Sequence, residues 1–149
     1  MEIARNFISK NNKRYWLVKF APFRTSWTDI VHRGTFTLRC VRSRQARNFL
    51  AAMQSGDLTF FYHSQQELAV VWLMEVSREA YPDPTSSDPH WLTCDFRPLQ
   101  TFPHPITLAA IKASPDLTEL PLVRQPRLAV MPVTSEEFEK ILAIGLQKG

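Results

Sequence analysis

The chain has 149 residues, 44% of them hydrophobic and 21% charged, with a net charge of +4. That balance lies far from the low-hydrophobicity, high-charge corner where chains stay disordered, and the length suits one compact domain. No apolar run approaches the ~20 residues that span a bilayer, and residues 1–14, rich in Asn, Lys and Arg, lack the apolar stretch of a secretory signal. A cytoplasmic protein without a membrane anchor is therefore expected.

Residues 1–12 read as an N-terminal extension and 13–149 as a single domain. Tyr15–Phe20 is a short aromatic strand. Ser26 is placed to cap a helix whose third residue is Asp29 and which Gly34 ends. Ser43 caps a second helix over 44–53, where Ala46, Phe49, Leu50 and Met53 fall at i, i+3, i+4 and i+7; Gly56 closes it. Strands follow at 58–62 and 68–76, the second nearly all apolar and hence buried on both faces. The segment 81–90 carries three prolines and reads as a turn-forming loop. Leu92, Cys94 and Phe96 alternate with polar residues as a half-buried strand does. A short helix is expected at 108–112 after Thr107, a strand at 127–131 stopped by Pro132, and a last helix from Ser135 whose apolar stripe is Phe138, Ile141, Leu142 and Leu146. Such a series is α+β: a small curved sheet or barrel with helices at its ends, too irregular for a doubly wound α/β fold.

Catalytic and metal-binding signatures are missing. The histidines His32, His63, His90 and His104 are scattered, no Cys or His stands at metal-ligand spacing, and with only four glycines there is no phosphate loop or nucleophile elbow. Cys40 and Cys94 read as reduced thiols of a cytosolic protein. No cofactor, no metal and no catalysis are expected.

What remains is binding chemistry. Segment 39–48 holds Arg39, Arg42, Arg44 and Arg47. Helical geometry sets Arg44, Arg47 and Asn48 opposite the apolar stripe, with Arg39 and Arg42 on the approach. Guanidinium groups gathered at a helix start suit phosphate; a solvated face with internal ion pairs fits the same residues equally well. Tyr62, His63 and Ser64 at a strand end can offer a base stacking and edge hydrogen bonds, or belong to the core rim. Of the four tryptophans, Trp16 and Trp72 sit in strand patterns and read as core, whereas Trp27 beside Ser26 is the better pocket residue.

In chain order these pieces resemble the EVE domain family, members of the PUA-like superfamily related to the YTH readers of methylated adenine. The first signature is Tyr15-Trp16-Leu17-Val18-Lys19-x-x-Pro22 with Ser26-Trp27-x-Asp29; the second is Val41-Arg42 and Gln45-Ala46-Arg47-Asn48-Phe49-Leu50. Gly56-Asp57, Tyr62-His63-Ser64, Glu75-Val76, Tyr81-Pro82-Asp83-Pro84, Ile111-Lys112, Leu122-Val123-Arg124-Gln125 and Arg127-Leu128-x-Val130-x-Pro132-Val133 continue the series. The match covers about residues 13–146. It implies a PUA-like curved β-barrel or sheet of five to six strands flanked by short helices, a non-catalytic module of the small bacterial type, without metal, that takes a modified base of DNA or RNA; the sequence leaves the oligomeric state open, with a monomer favoured. On that reading Lys19, Arg39, Arg42, Arg44 and Arg47 hold phosphate. Phe20, Pro22, Ser26, Trp27, Leu38, Val41, Tyr62, His63, Ser64 and Arg127 surround the base. A free nucleotide or other small anion in the same pocket, or a protein-interaction domain with a vestigial pocket, is the alternative.

The chain departs from the family pattern near the pocket. Phe20 and Ala21 stand where the family has Ser-Glu; Leu38, Arg39 and Cys40 replace Trp-Asp-Gly; Ser43 and Arg44 replace Asn-Tyr. These changes predict a more positive pocket mouth that favours phosphate contact, a base preference that is changed, relaxed or lost, and Phe20 in place of the missing aromatic wall.

Overall fold

Helix ends are set locally, and the computed structural model, which describes residues 14–20, 26–39, 41–65 and 67–146, has them where the capping residues stand. After β1 (Tyr15–Phe20), Ser26 Oγ accepts the Asp29 N–H to open α1 (Trp27–Arg33), and Gly34, at φ 79°, supplies the left-handed turn that ends it. Beyond the two-residue β2 (Phe36–Thr37), Ser43 Oγ accepts the Ala46 N–H to open α2 (Arg44–Ala52). Then come β3 (Leu58–His63), β4 (Ala69–Pro82), β5 (Leu92–Thr107), α3 (Leu108–Ala113), a 3-10 turn (Pro115–Leu117), the single-turn α4 (Pro121–Arg124), β6 (Val130–Val133) and α5 (Ser135–Leu146).

The strands form one six-stranded sheet in the order β2-β5-β4-β3-β1-β6, parallel between β1 and β3 and antiparallel elsewhere. The α+β architecture is the expected one. Register shifts after Val70, Leu73, Val76 and Arg78 make β4 and β5 bend, as extra residues in one strand of a pair do. No helix among the described residues is long and apolar enough to cross a membrane.

Several boundaries differ from the sequence expectation. The strand expected around Leu92–Phe96 runs on to Thr107, through Pro98, Pro103 and Pro105. Those prolines are tolerated because β5 has β4 on one side, while on the other β2 pairs only with Asp95 and Phe96. Tyr81 and Pro82, read as turn residues, close β4. The last strand starts three residues later and ends two residues later than 127–131, and Pro132, expected to stop it, sits inside it because β6 is an edge strand. β2 and α4 were not foreseen: both are too short to show a period.

Alternation along β3 splits two large rings between the faces of the sheet. Phe60 packs beside Phe102 and stacks at 4.8 Å on Phe138, which also stacks on Tyr15. Phe61 turns to Phe96, Phe36 and Phe20. On the first side α5 lies close to β5: a methyl group added at Gly145 would sit 2.7 Å from both Phe102 and Ile106 side chains. Asp57 ties the turn before β3, accepting the Trp16 indole N–H at 2.9 Å and the Gln54 N–H. Cys94 is fully buried, and burial, with Asp95 and Glu79 nearby, pushes its thiol up to about 12. Cys40, Ala21, Pro22 and the N-terminal extension at 1–12 lie outside the described residues.

Candidate nucleic-acid interface

The chain leaving α1 turns at Gly34, pairs antiparallel with β5 as β2, and returns toward α2; the space it encloses against the end of β1 is a cavity of ≈ 700 Å³. Lys19 and Phe20 come from β1, Arg33 from the end of α1, Phe36 and Thr37 from β2, and Leu38, Arg39, Val41, Arg42 and Ser43 from the approach to α2. The described lining thus carries four cations, Lys19, Arg33, Arg39 and Arg42, and no carboxylate. Its volume falls in the usual range of small-ligand sites.

Hydrogen bonds fix the outer wall. Leu38 donates its N–H to Cys94 O and its carbonyl accepts the Thr93 hydroxyl, so Leu38 is only 4% exposed and gives the cavity an aliphatic surface. Thr37 donates to Asp95 Oδ1 at 2.7 Å, the same oxygen that accepts the Tyr81 hydroxyl. Burial, then that hydrogen bond, raises the Tyr81 phenol.

Rings form the inner wall. Phe20 and Phe36 both line the cavity and meet edge to face at 6.2 Å. Behind Phe20 stand Trp72 at 4.8 Å and His63, stacked at 5.9 Å; Trp72 in turn contacts Trp27 at 5.3 Å. His63 is buried, its Nδ1 lies 3.2 Å from Glu67 Oε1, and its Nε2 has no hydrogen-bond partner. Ser64 donates its N–H and its hydroxyl to Phe20 O, anchoring the end of β1.

The four arginines of 39–48 divide. Arg42 donates from Nη1 to Asp83 Oδ2 at 3.0 Å and to Val41 O, and from Nη2 to Thr85 Oγ1; its guanidinium lies 5.9 Å from the Trp91 ring. The Asp83 side chain is wholly buried. Arg47 donates to His90 O at 2.8 Å and to Asn48 Oδ1. By contrast Arg33, Arg39, Arg44 and Arg127 form no ion pair with a described residue. Lys19 reaches the carbonyl of Pro126, and burial lowers its pKa.

Of the residues singled out from sequence, Lys19, Phe20, Leu38, Arg39, Val41 and Arg42 come together around the cavity. Arg44 and Arg47 begin α2 beside it. Ser26 serves as the α1 cap, and Trp27, half-buried, packs on Trp72. His63 and Ser64 stand behind Phe20, whereas Tyr62 is 3% exposed, with burial raising its phenol. Arg127 lines a different depression, discussed below. Pro22 lies outside the described residues. Sequence reasoning missed Arg33, Thr35, Phe36, Thr37 and Ala129; the alternation of Phe36 and Leu38 after Gly34 was the available signal for Phe36. Among the described residues no group of three His, Cys, Asp or Glu is placed to hold a metal ion.

The fold has close counterparts. Protein Atu2648 of Agrobacterium tumefaciens, 40% identical, superposes with a TM-score of 0.83 over 89% of this chain and 92% of that one. Human THYN1, crystallised in complex with 5-methylcytosine containing DNA, is 29% identical with a TM-score of 0.82 over 92% and 100% of the two chains. Mouse thymocyte nuclear protein 1 is 32% identical, the match covering 91% of this chain and 75% of that protein. The EVE domain model matches residues 14–144, and the chain belongs to the EVE domain family.

Proposed function

We propose that this protein is a non-catalytic binding module for nucleic acid carrying a modified base, with the base entering the cavity and the backbone resting on the free arginines at its mouth. The observation that carries this reading is the lining itself: four cations and no described carboxylate around a recess with an aromatic wall. Phosphate is drawn by that charge, and a base finds ring surface on Phe20 and Phe36, where Leu38 offers none. The DNA complex of the human relative supports the ligand class. Arg33 and Arg39, exposed and without an ion-pair partner among the described residues, are the phosphate contacts; Arg42 is committed to Asp83 and shapes the wall.

The test is fluorescence anisotropy against oligonucleotides that are unmodified, 5-methylated or 5-hydroxymethylated at one cytosine, each at two salt concentrations. Binding that prefers a modified base and weakens steeply with salt is the expected result, since each neutralised phosphate adds about −0.7 to −0.9 to the log–log slope. Salt-independent binding, or equal affinity across the panel, counts against it. A free nucleotide bound as tightly as an oligonucleotide would favour the small-anion alternative.

A further inference from the structure

A second depression, of ≈ 480 Å³, lies beside the cavity and is lined by Ser43, Gln45 and residues 125–128. Three observations join the two. Ser43 lines both; Ala129 in the cavity is the chain neighbour of Leu128 in the depression; and Lys19, whose stem lines the cavity, donates its ammonium to Pro126 O, a lining residue of the depression. Lys19 and Ser43 therefore form the ridge between the two recesses. Ser43 Oγ accepts the Ala46 N–H, which leaves its hydroxyl proton free to donate outward. Beyond the ridge Gln45, Gln125 and Arg127 are all exposed, and Arg127 has no ion-pair partner among the described residues. Neither lining contains a described carboxylate.

In a regular duplex the bases are stacked inside the helix, beyond the reach of a recess. A strand with one base turned into a pocket presents its next phosphate and sugar at the pocket rim. We propose that the depression over residues 125–128 is a second subsite, holding the nucleotide adjacent to the one in the cavity, with the bridging phosphate on the ridge of Lys19 and Ser43. Gln45 and Gln125 offer amide edges to the adjacent base or sugar, and Arg127 a fork for its outer phosphate. The ligand is thus two consecutive nucleotides of one strand. This rests on the nucleic-acid reading of the cavity.

The test compares 5-methyl-deoxycytidine monophosphate with dinucleotides that carry 5-methylcytosine at either end and a phosphate on both termini, by competition against a labelled oligonucleotide. One dinucleotide should bind roughly tenfold more tightly than the mononucleotide, the scale of one or two charge-assisted contacts. The double variant Gln45→Ala with Arg127→Ala should erase that gain and leave the mononucleotide affinity, and the circular dichroism spectrum, unchanged. Equal affinity for mono- and dinucleotide, or a gain that survives the double variant, overturns the second subsite while leaving the cavity reading intact. Failure of every oligonucleotide to bind overturns both.

Discussion

Arg42 and Arg39 stand three residues apart in one basic run and have opposite fates. Arg42 is gripped by a buried carboxylate, a hydroxyl and a carbonyl, and helps to hold the 83–91 loop against the start of α2. Arg39 lines the same cavity, exposed and without an ion-pair partner among the described residues. Arg47, tied to His90 O, sides with the first, and Arg44 with the second. A basic cluster in sequence is thus two populations in space: one whose charge is spent on the fold, and one whose charge is left for a partner.

That division can be broken at its strongest point. Asp83→Ala removes the buried acceptor and leaves Arg42 beside a hole. We expect a loss of about 2–3 kcal/mol in urea unfolding, from the hydrogen bonds that Arg42 and Thr85 both lose, Arg42 itself staying in contact with water; a loss below ~1 kcal/mol would mean that Arg42 is not a strut. Replacing Arg33 and Arg39 together with alanine should do the reverse. Stability should stay within ~0.5 kcal/mol, while the log–log salt slope of oligonucleotide binding falls by about 1.4–1.8. An unchanged slope would remove both from the interface. Arg42→Lys keeps the charge and loses the fork that spans Asp83 and Thr85, with an expected cost of about 1–2 kcal/mol in stability; full stability would show that charge alone suffices. Smallest is Arg47→Ala, which deletes the exposed hydrogen bonds to His90 O and Asn48 Oδ1. Thermal unfolding should register about 0.5–1 kcal/mol, with no change in the salt slope.

Much of the fold was legible because its signals are local. Ser26, Gly34 and Ser43 announce helix ends through bonds to residues three or four positions away, and the stripe of Ala46, Phe49, Leu50 and Met53 needs no partner to be seen. The extent of β5 was not, since Pro98, Pro103 and Pro105 argue against a strand unless one knows that few of its residues carry a neighbour on the second side. The cavity was legible in part. Lys19, Phe20, Leu38 and Arg42 could be named from family motifs, yet nothing in the sequence tells that Arg42 meets Asp83 forty-one residues on. Phe36 and Arg33 escaped because the cavity they line exists only once the Gly34 turn brings α1 and β2 back against β1.

The proline-bearing half of β5 has a consequence for how molecules of this protein meet one another. Past Phe96, no described strand covers the outer side of β5, so a long stretch of backbone borders nothing from the sheet itself. An uncovered strand of this length is an invitation to pair with a neighbour's edge and, at high concentration, to aggregate. Pro98, Pro103 and Pro105 each withdraw an N–H from that stretch, and each fixes a backbone angle that an incoming strand would have to match. The sheet is kept from growing by residues that look, in sequence, as though they should have prevented it from forming.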